Sequence, residues 1–251
     1  MRSLFPALAV CAALLLGAPH MAGAQTASFT PAQRAEIVDI LRDALKRDPS
    51  ILRDAVIALQ ADDARTEAEN RAGQLAQLTP MLTGNAADPV AGNPQGRVSI
   101  VEFYDVRCPY CRRMLPTLAR LLKANPDLRL VYKDLPVLGP GSVIGAKALL
   151  AAQKQGGYQK LHDALMNGPS EVTEDLVHGQ AVKLGLDWPK LQADMKGADI
   201  QGRIDTNLAL SRKLDLQGTP AYIIGSRIVP GAEEFDVLQA AVDEARRTMT
   251  P

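Results

Sequence analysis

A buried strand that runs directly into a Cys-Pro-Tyr-Cys motif is the feature that most constrains this chain. Residues 98–104 read Val-Ser-Ile-Val-Glu-Phe-Tyr, a nearly unbroken apolar run that is typical of a strand buried on both faces. Apolar residues then recur at helical spacing from residue 114 to residue 122. Pro109 suits the first turn of that helix, where a missing N–H costs nothing. The pattern therefore predicts a helix whose N-cap is at or near Cys108.

This predicted position favours ionisation of the Cys108 thiol. The thiolate is the reactive form of cysteine, and a helix N-terminus stabilises an anion through its unpaired N–H groups and the positive end of the macrodipole. Arg107, Arg112 and Arg113 add positive charge nearby. Cys111 lies one helical turn further on, within reach of a disulfide. We therefore expect Cys108 to attack and Cys111 to resolve.

The first 24 residues have the pattern of a signal peptide. Arg2 provides a short positive region, residues 4–16 are mostly apolar, and residues 22–24 form an A-x-A cleavage site. The apolar stretch is short for a transmembrane span, and a retained membrane anchor is the alternative interpretation. We expect residues 1–24 to be removed and the mature protein to be exported, with no membrane insertion.

Cysteine usage indicates redox chemistry. The chain has three cysteines, and Cys11 lies within the predicted signal peptide. Only Cys108 and Cys111 then remain, and a bridge that closes so short a loop adds little stability compared with one that closes a long loop. We interpret the pair as a redox reagent rather than a structural disulfide. The formal net charge of +0 gives no indication of a nucleic-acid-binding surface.

The region that follows the signal, residues 25–79, is predicted to be helical. Thr30 and Gln33 form the pattern of a capping box, and an Asp-Pro pair at 48–49 separates two helices. Both helices carry apolar stripes but have too few large apolar residues to bury a core of their own. The stripes either pack on the main domain or meet copies of themselves, and we favour self-association. Residues 80–96 are rich in proline and glycine and are interpreted as a linker or a long irregular connection.

Residues 97–251 are predicted to form an α/β domain. A second strand begins at residue 128 and is expected to lie parallel to the first through a right-handed crossover. Residues from about 140 to 214 are mainly helical, and a Gly-Thr-Pro sequence at 218–220 precedes a hairpin. A closing amphipathic helix follows. This order describes a small mixed sheet with helices on its faces and a helical insertion.

The order of elements, with the Cys-Pro-Tyr-Cys motif at 108–111 and the Thr-Pro pair at 219–220, resembles the thioredoxin fold with a DsbA-like helical insertion. The likeness covers about residues 96–248. Residues 30–79 resemble the N-terminal helical region of Com1-like and ScsC-like periplasmic thiol oxidoreductases, some of which oligomerise through it. The resemblance implies an α/β thioredoxin-fold domain preceded by an α-helical region.

The resemblance also implies roles for individual residues. Cys108 and Cys111 match the redox-active disulfide. Glu102 matches an acidic residue that assists proton transfer to and from the resolving cysteine, and a carboxyl in an apolar strand has a raised pKa that suits this task. The residues implied to contact substrate are Pro109, Tyr110, Thr219 and Pro220.

Three positions bear on whether the chain oxidises, reduces or isomerises disulfides. Pro220 matches the cis-proline that lies against the active-site disulfide, and Thr219 matches the residue before it, which tunes redox behaviour. DsbA has a histidine where this chain has Tyr110, which brings no positive charge, so we expect weaker thiolate stabilisation and a milder oxidant. In these features the chain resembles the disulfide isomerases, DsbG in particular, and ScsC more than the oxidase.

The expected function is that of a periplasmic thiol–disulfide oxidoreductase, an isomerase or reductase in a homo-oligomer, of which a trimer is one form. The implied partners are cysteine-containing exported proteins and a membrane redox partner of DsbD-like or DsbB-like type, with no nucleic acid. We expect no cofactor and no metal, since only His162 and His178 are left as imidazole ligands for a zinc site. The alternatives are a monomeric DsbA-like oxidase and, in another class, a periplasmic chaperone or a copper-binding protein.

Overall fold

The computed structural model describes residues 29–248, which form two compact units that divide between Asp62 and Asp63. The predicted signal peptide, residues 1–24, lies outside the described residues. Within residues 29–248, no helix has both the length and the apolar character that a membrane span requires.

The described part of the first unit consists of α1 (Pro31–Arg47) and the beginning of α2 (Ser50–Thr83). The predicted capping box is confirmed, because the Thr30 hydroxyl accepts from the Gln33 N–H at 3.3 Å and the Gln33 side chain accepts from the Thr30 N–H at 2.9 Å. α1 buries no residue. The exposed large apolar side chains of these helices are Ile37, Val38, Ile40, Leu41, Leu45, Ile51, Leu52, Val56, Ile57 and Leu59.

A mixed sheet forms the centre of the second unit. Its strands are β1 (Val90–Gly92), β2 (Val98–Tyr104), β3 (Leu128–Asp134), β4 (Ala221–Ile224) and β5 (Arg227–Pro230). Their order in the sheet is β1-β3-β2-β4-β5. β2 and β3 are parallel, and the other neighbouring pairs are antiparallel. The parallel pair and the β4–β5 hairpin predicted from the sequence are both confirmed.

Helices complete the second unit in the predicted chain order. They are α3 (Pro109–Ala124), α4 (Pro140–Gln153), α5 (Tyr158–Met166), α6 (Glu174–Lys183), α7 (Trp188–Met195), α8 (Ala198–Lys213) and α9 (Phe235–Thr248). α4 to α8 form the helical insertion between β3 and β4.

The two faces of the sheet belong to different cores, since successive residues of a strand point to opposite faces. Ile100 and Tyr104 of β2 belong to the larger core, together with residues of α3, α9 and the insertion. Val101 and Phe103 belong to a smaller core that includes residues of α8 and of the part of α2 that follows Asp63. The compact second unit therefore begins within α2 and not at residue 97.

Residues 80–96 are not the linker that their proline and glycine content predicted. α2 continues through Pro80 to Thr83, and β1 pairs with β3 within this segment. Proline inside a helix costs about 3 kcal/mol, while full burial of one leucine contributes about 1.5–3 kcal/mol. Burial on the sheet offsets the proline, because this part of α2 buries Leu75, Leu78 and Leu82.

Two cations of β3 hold the C-terminal end of α2. The last carbonyl groups of a helix have no partner within the helix. Lys133 Nζ donates to the Met81 carbonyl at 2.8 Å, and Arg129 Nη1 donates to the Thr83 carbonyl at 2.9 Å. Lys133 also pairs with Asp88, and both side chains are buried. These contacts fix the end of α2 and the segment that leads into β1.

Candidate active site

The two cysteines lie where β2 ends and α3 begins. Cys108 is the N-cap residue of α3, and Pro109 is the first helical residue, as the sequence predicted. The Cys108 sulfur lies 3.2 Å from the carbonyl oxygen of Thr219, and the thiol donates to that oxygen when it is protonated. This contact places the loop before β4, with its cis Thr219–Pro220 peptide bond, against the reactive sulfur.

Hydrogen bonding makes Cys108 acidic. Its pKa is lowered to about 5, first by the hydrogen bond from the Cys111 thiol and further by the Thr219 side chain and the backbone N–H groups of Cys111 and Tyr110, while burial opposes the shift. The N–H groups in the first turn of a helix have no partner within that helix, so those of Tyr110 and Cys111 are available to the sulfur. These donors, which depend on the folded loop, stabilise the thiolate although Tyr110 carries no charge. Cys108 is therefore mostly a thiolate at neutral pH.

Cys111 has the opposite character. It is fully buried, and burial raises its pKa far above the ordinary value, with the hydrogen bond to Cys108 and the negative charge of Glu102 adding to the rise. Both thiols are free in the structure. In the reduced pair, one sulfur is thus an anion ready to attack, and the other is a thiol that must lose its proton before it can attack.

Glu102 lies on β2 between Tyr132 of β3 and Tyr222 of β4. Its side chain is only 2% exposed, so the carboxyl faces the core and not solvent. Burial raises its pKa to about 8, and the charge of Cys108 adds to the rise. The Tyr222 hydroxyl, which donates to Oε1 at 3.2 Å, opposes it. A buried carboxyl with a pKa of about 8, whose charge acts on the resolving thiol, is suited to exchange a proton with that thiol.

Two arginines next to the cysteines fix a loop of the insertion. Arg107 and Arg112 together donate to three consecutive carbonyl groups, at residues 168–170, over distances of 2.7 to 3.2 Å. Arg107 also pairs with Glu171 at 2.7 Å. Sequence proximity had indicated only positive charge near the thiol. The structure shows that these side chains also connect the active-site turn to the insertion.

Sequence reasoning missed an apolar loop beside the site. Val137 and Leu138 follow β3 and are 48% and 44% exposed. Asp105 accepts hydrogen bonds from both of their N–H groups, at 2.8 and 3.0 Å, and Arg107 donates to the Leu138 carbonyl at 2.8 Å. Because Asp105 and Arg107 lie within the three residues before Cys108, this loop is held close to the nucleophile. Its prolines and glycines mark a loop in the sequence, but they do not show that it lies beside the cysteines.

The residues implied to contact substrate surround the nucleophile. Pro109 and Tyr110 are exposed at the start of α3, and the Arg113 guanidinium lies 4.9 Å from the centre of the Tyr110 ring. Thr219 is half-buried and Pro220 is buried in the loop before β4. Pro109 and Tyr110 thus follow the nucleophile directly in the chain, and Thr219 contacts its sulfur across the fold.

A buried hydrogen-bonded triangle, also missed, lies on the same face of the sheet as Glu102. The Asp134 carboxylate accepts from the Tyr104 hydroxyl at 2.9 Å and from the Tyr158 hydroxyl at 3.0 Å, and the two hydroxyls lie 2.7 Å apart. Burial raises the pKa of Asp134 to about 6, against the effect of these hydroxyls. The His162 ring packs on Tyr104 with 5.2 Å between ring centres. The triangle connects the end of β3 to α5 of the insertion.

The described part of the chain offers no cluster of side chains that would suit a metal ion. No three side chains of His, Cys, Asp or Glu lie together there in a way that could hold a metal ion. His162 is buried among aromatic rings, and His178 stacks on Trp188 with ring centres 4.5 Å apart. Both histidines are packing residues, and the two thiols are the soft ligands that the site offers.

Two family models match the chain. Residues 99–243 match the DSBA-like thioredoxin domain. Residues 33–65 match the N-terminal domain of the copper resistance protein ScsC. The first match contains both cysteines, Glu102 and the cis-proline loop, and the second covers the helices with exposed apolar side chains.

Solved structures share the fold. A thioredoxin-like oxidoreductase from Silicibacter pomeroyi DSS-3 is 42% identical, with a TM-score of 0.65 and coverage of 67% of this chain and 97% of that chain. ScsC of Proteus mirabilis in a transitional conformation is 32% identical, with a TM-score of 0.65 and coverage of 89% and 99%. A periplasmic thioredoxin-like protein from Salmonella enterica serovar Typhimurium is 32% identical, with a TM-score of 0.62 and coverage of 67% and 95%. These likenesses confirm the predicted α/β thioredoxin fold with its helical insertion and N-terminal helices.

Curated relatives include larger proteins. The Na(+)/H(+) antiporter NhaA 3 from Salinispora tropica is 31% identical over 163 residues, which are 63% of this chain. The probable disulfide bond formation protein D from Bacillus cereus is 29% identical over 168 residues, with coverage of 61% of this chain and 76% of that protein. The chain spans 24% of the length of the antiporter that it matches.

Proposed function

The chain belongs to the DsbA-like thioredoxin family of thiol–disulfide oxidoreductases, and on this premise we propose that it acts on the disulfides of exported proteins, as an isomerase or a reductase within an oligomer. Cys108 and Cys111 would carry the chemistry, and Glu102 would move the proton. Pro109, Tyr110, Thr219 and Pro220 would contact the substrate.

The asymmetry between the two thiols carries the proposal. The low pKa of Cys108 supplies a thiolate at neutral pH, and the raised pKa of Cys111 keeps the second sulfur protonated. A thiolate is the attacking species in thiol–disulfide exchange. A protonated second thiol does not resolve the mixed disulfide at once, which gives the bound substrate time to rearrange.

The proposed steps balance without a cofactor. The Cys108 thiolate attacks one sulfur of a substrate disulfide, which forms a mixed disulfide and releases the other substrate sulfur as a thiolate. In isomerisation, a substrate thiolate attacks the mixed disulfide, forms a new substrate disulfide and regenerates the Cys108 thiolate, with no net oxidation. In reduction, Cys111 loses its proton and attacks Cys108, so that both substrate thiols are released and the Cys108–Cys111 disulfide remains.

Glu102 is proposed as the proton acceptor in the reductive branch. Its pKa of about 8 leaves a useful fraction ionised at neutral pH, and its charge acts on Cys111. Efficient proton transfer requires a group whose pKa lies near the working pH. The buried carboxyl meets this requirement. An exposed glutamate, with its lower pKa, would be too weak a base to accept a proton from a thiol whose pKa is raised as far as that of Cys111.

Self-association is proposed through the N-terminal helices. Ile40, Leu41, Leu52 and Leu59 are each more than half exposed, and α1 buries no residue. Exposed apolar surface of this extent is typical of an interaction site. The match of this segment to the ScsC N-terminal domain supports the same interpretation. Several active sites around a shared space would favour the shuffling of wrong disulfides.

Export to the periplasm is proposed from the signal-like pattern of residues 1–24 and from the likeness to a periplasmic thioredoxin-like protein. A reductase or isomerase in an oxidising compartment must have its dithiol restored, since reduction leaves the Cys108–Cys111 disulfide. We therefore include in the proposal a membrane redox partner that delivers electrons, of DsbD-like type.

The test is refolding of scrambled ribonuclease by the chain without residues 1–24, together with its mass in solution. We expect an oligomer that restores ribonuclease activity. A variant that also lacks residues 25–62 serves as the comparison, and we expect it to be monomeric and to lose the isomerase activity while Cys108 still reacts. The proposal would be contradicted if the chain without residues 1–24 were a monomer, or if the variant that also lacks residues 25–62 stayed oligomeric.

A monomeric disulfide oxidase is the second candidate, and the acidity of Cys108 favours it. A low pKa stabilises the reduced form and makes the corresponding disulfide a stronger oxidant. The discriminating measurement uses the oxidised chain and reduced, unfolded ribonuclease. Rapid oxidation of the substrate without rescue of scrambled ribonuclease would identify an oxidase.

A further inference from the structure

An open groove of about 660 Å³ lies beside the cis-proline loop. Its lining includes Arg71 and Gln74 of α2 and Ile228 and Pro230 of the hairpin. The end of α8 and the loop that leads to Thr219 also line it. The groove thus begins at the residue whose carbonyl contacts the reactive sulfur.

The part of the lining that α2 contributes is fixed in place. Leu75, next to Gln74, is buried in the smaller core. The Gln74 side chain donates to the Lys213 carbonyl at 2.7 Å, which joins α2 to the last turn of α8. Arg71 lies one helical turn before Leu75 and is exposed. The same helix that closes the core therefore presents a cation to the groove.

The side chains that line the groove carry more positive than negative charge. Arg71 and Lys213 are exposed and have no ion-pair partner among residues 29–248. Asp215 is the one carboxylate in the lining, and it accepts a hydrogen bond from the Gln217 side chain at 2.7 Å. Two cations against one carboxylate leave the groove with a net positive charge.

The shape and position of the groove suit an extended polypeptide. Among the strands of residues 29–248, β5 lies at the edge of the sheet, where it pairs with β4. Edge strands and grooves beside them accept extended chains. A chain that follows this groove to Thr219 brings its own cysteine to the Cys108 sulfur, which lies 3.2 Å from the Thr219 carbonyl.

We propose that this groove holds the segment of substrate next to the reacting cysteine, and that Arg71 and Lys213 select segments that carry aspartate or glutamate. The inference rests on the proposed function and adds a substrate preference to it. Under this proposal α2 has two roles: it closes the smaller core, and it contributes side chains to the substrate site. Charge complementarity of this kind acts mainly on selection and association.

The test uses two peptides that differ only in charge. Each contains one cysteine joined to 2-thiopyridine by a disulfide, with aspartates a few residues away on both sides in one peptide and asparagines in the other. The Cys108 thiolate attacks the peptide sulfur, forms the mixed disulfide and releases 2-thiopyridone, whose absorbance gives the rate. The rate of each peptide with the protein is divided by its rate with 2-mercaptoethanol. This ratio corrects for any difference in the intrinsic reactivity of the two peptide disulfides.

The reduced chain should react with the acidic peptide faster than with the neutral one, by about three- to tenfold at low salt for two exposed charge pairs. The preference should shrink at high salt, because the charges are exposed. The double variant Arg71→Gln, Lys213→Gln should lose it. Lys183→Gln, an equal change of charge at an exposed position of α6 outside the groove, should keep it.

Two results overturn the inference alone. Equal rates for the two peptides show that the groove does not select by charge. A preference that survives in the double variant shows that other residues cause it. Absence of thiopyridone release with both peptides would instead overturn the proposed function, and the inference with it.

Discussion

Tyr222 donates a hydrogen bond to Glu102 across the antiparallel pair β2–β4, with 3.2 Å between the hydroxyl oxygen and Oε1. Both side chains are buried. The hydroxyl stabilises the ionised carboxylate and so opposes the effect of burial on the pKa of Glu102. The basicity of Glu102, the proposed proton acceptor for Cys111, thus depends on a residue of the hairpin that follows the cis-proline.

Tyr222→Phe should therefore raise the pKa of Glu102 above about 8, because the variant loses the hydrogen bond and keeps the burial. In the proposed reductive branch, the rate at which Cys111 resolves a preformed mixed disulfide should then reach half of its maximum at a higher pH. A stopped-flow pH profile of this step measures the shift. An unchanged profile would show that Glu102 does not control the step.

Glu102→Gln should make the protein more stable at alkaline pH. The folded-state pKa of about 8 lies above the ordinary glutamate value, so folding favours the protonated form, and stability is lost as the pH rises from about 4.3 towards 8. The glutamine variant lacks this loss. The difference in unfolding free energy between variant and wild type should grow by a few kcal/mol over that range, at about 1.4 kcal/mol for each tenfold change in proton affinity.

Urea unfolding at pH 5 and pH 8 measures this difference. Glu174→Gln, at an exposed position in the first turn of α6, is the matched control and should show no such trend. A flat difference for Glu102→Gln would mean that the carboxyl is ionised in the folded protein without penalty. The proposed proton transfer to Glu102 would then lose its physical basis.

Thr219→Val should raise the pKa of Cys108 from about 5, because the Thr219 side chain is one of the donors that stabilise the thiolate. Hydrogen bonds to charged groups contribute about 1.5–3 kcal/mol, which corresponds to an increase of about one to two in pKa. The pH dependence of alkylation by iodoacetamide measures this value. Thr219→Ser keeps the hydroxyl and should stay close to wild type, and equal values in both variants would exclude the side chain as a donor.

Leu75→Ala should destabilise the second unit by about 2–5 kcal/mol, the usual cost of removing a buried leucine side chain. Leu75 is 2% exposed in the smaller core. Gln77→Ala, at an exposed position of the same helix, should change the unfolding free energy by less than about 0.5 kcal/mol. Equal effects of the two substitutions would show that α2 does not pack on the sheet in solution.

Local sequence signals predicted the reactive turn well. The run that ends in Tyr104, Pro109 at the first helical position and the spacing of Cys108 and Cys111 act through neighbours in the chain, so periodicity and capping preferences reveal them. The capping box at Thr30 is local in the same sense. These features were all found where the sequence placed them.

Features that depend on distant contacts were not predictable in this way. Residues 80–96 look like a linker because Pro80 and the following glycines dominate the local pattern, yet burial of Leu82 and pairing of β1 with β3 decide the outcome. The donors around Cys108 come partly from Thr219, more than a hundred residues away. Only the folded topology brings these groups together.

The buried triangle of Tyr104, Tyr158 and Asp134 shows the same limit. Each residue is an ordinary member of a strand or a helix in the sequence, and Asp134 comes one residue after a buried lysine. The contact between β3 and α5 turns them into a hydrogen-bonded set. The sequence indicated only that Arg107 and Arg112 add positive charge near the thiol. In the structure both also donate hydrogen bonds to carbonyl groups of a distant loop.

Covalent trapping on scrambled ribonuclease tests the central claim most directly, namely that Cys108 attacks and Cys111 resolves. The measurement is intact-mass analysis of the adducts formed by the Cys111→Ser and Cys108→Ser variants at neutral pH. We predict that Cys111→Ser accumulates a mixed disulfide through Cys108, while Cys108→Ser forms none, because its remaining thiol is buried and protonated. Adducts of equal yield in the two variants, or an adduct with Cys108→Ser alone, would contradict the assignment of the two sulfurs.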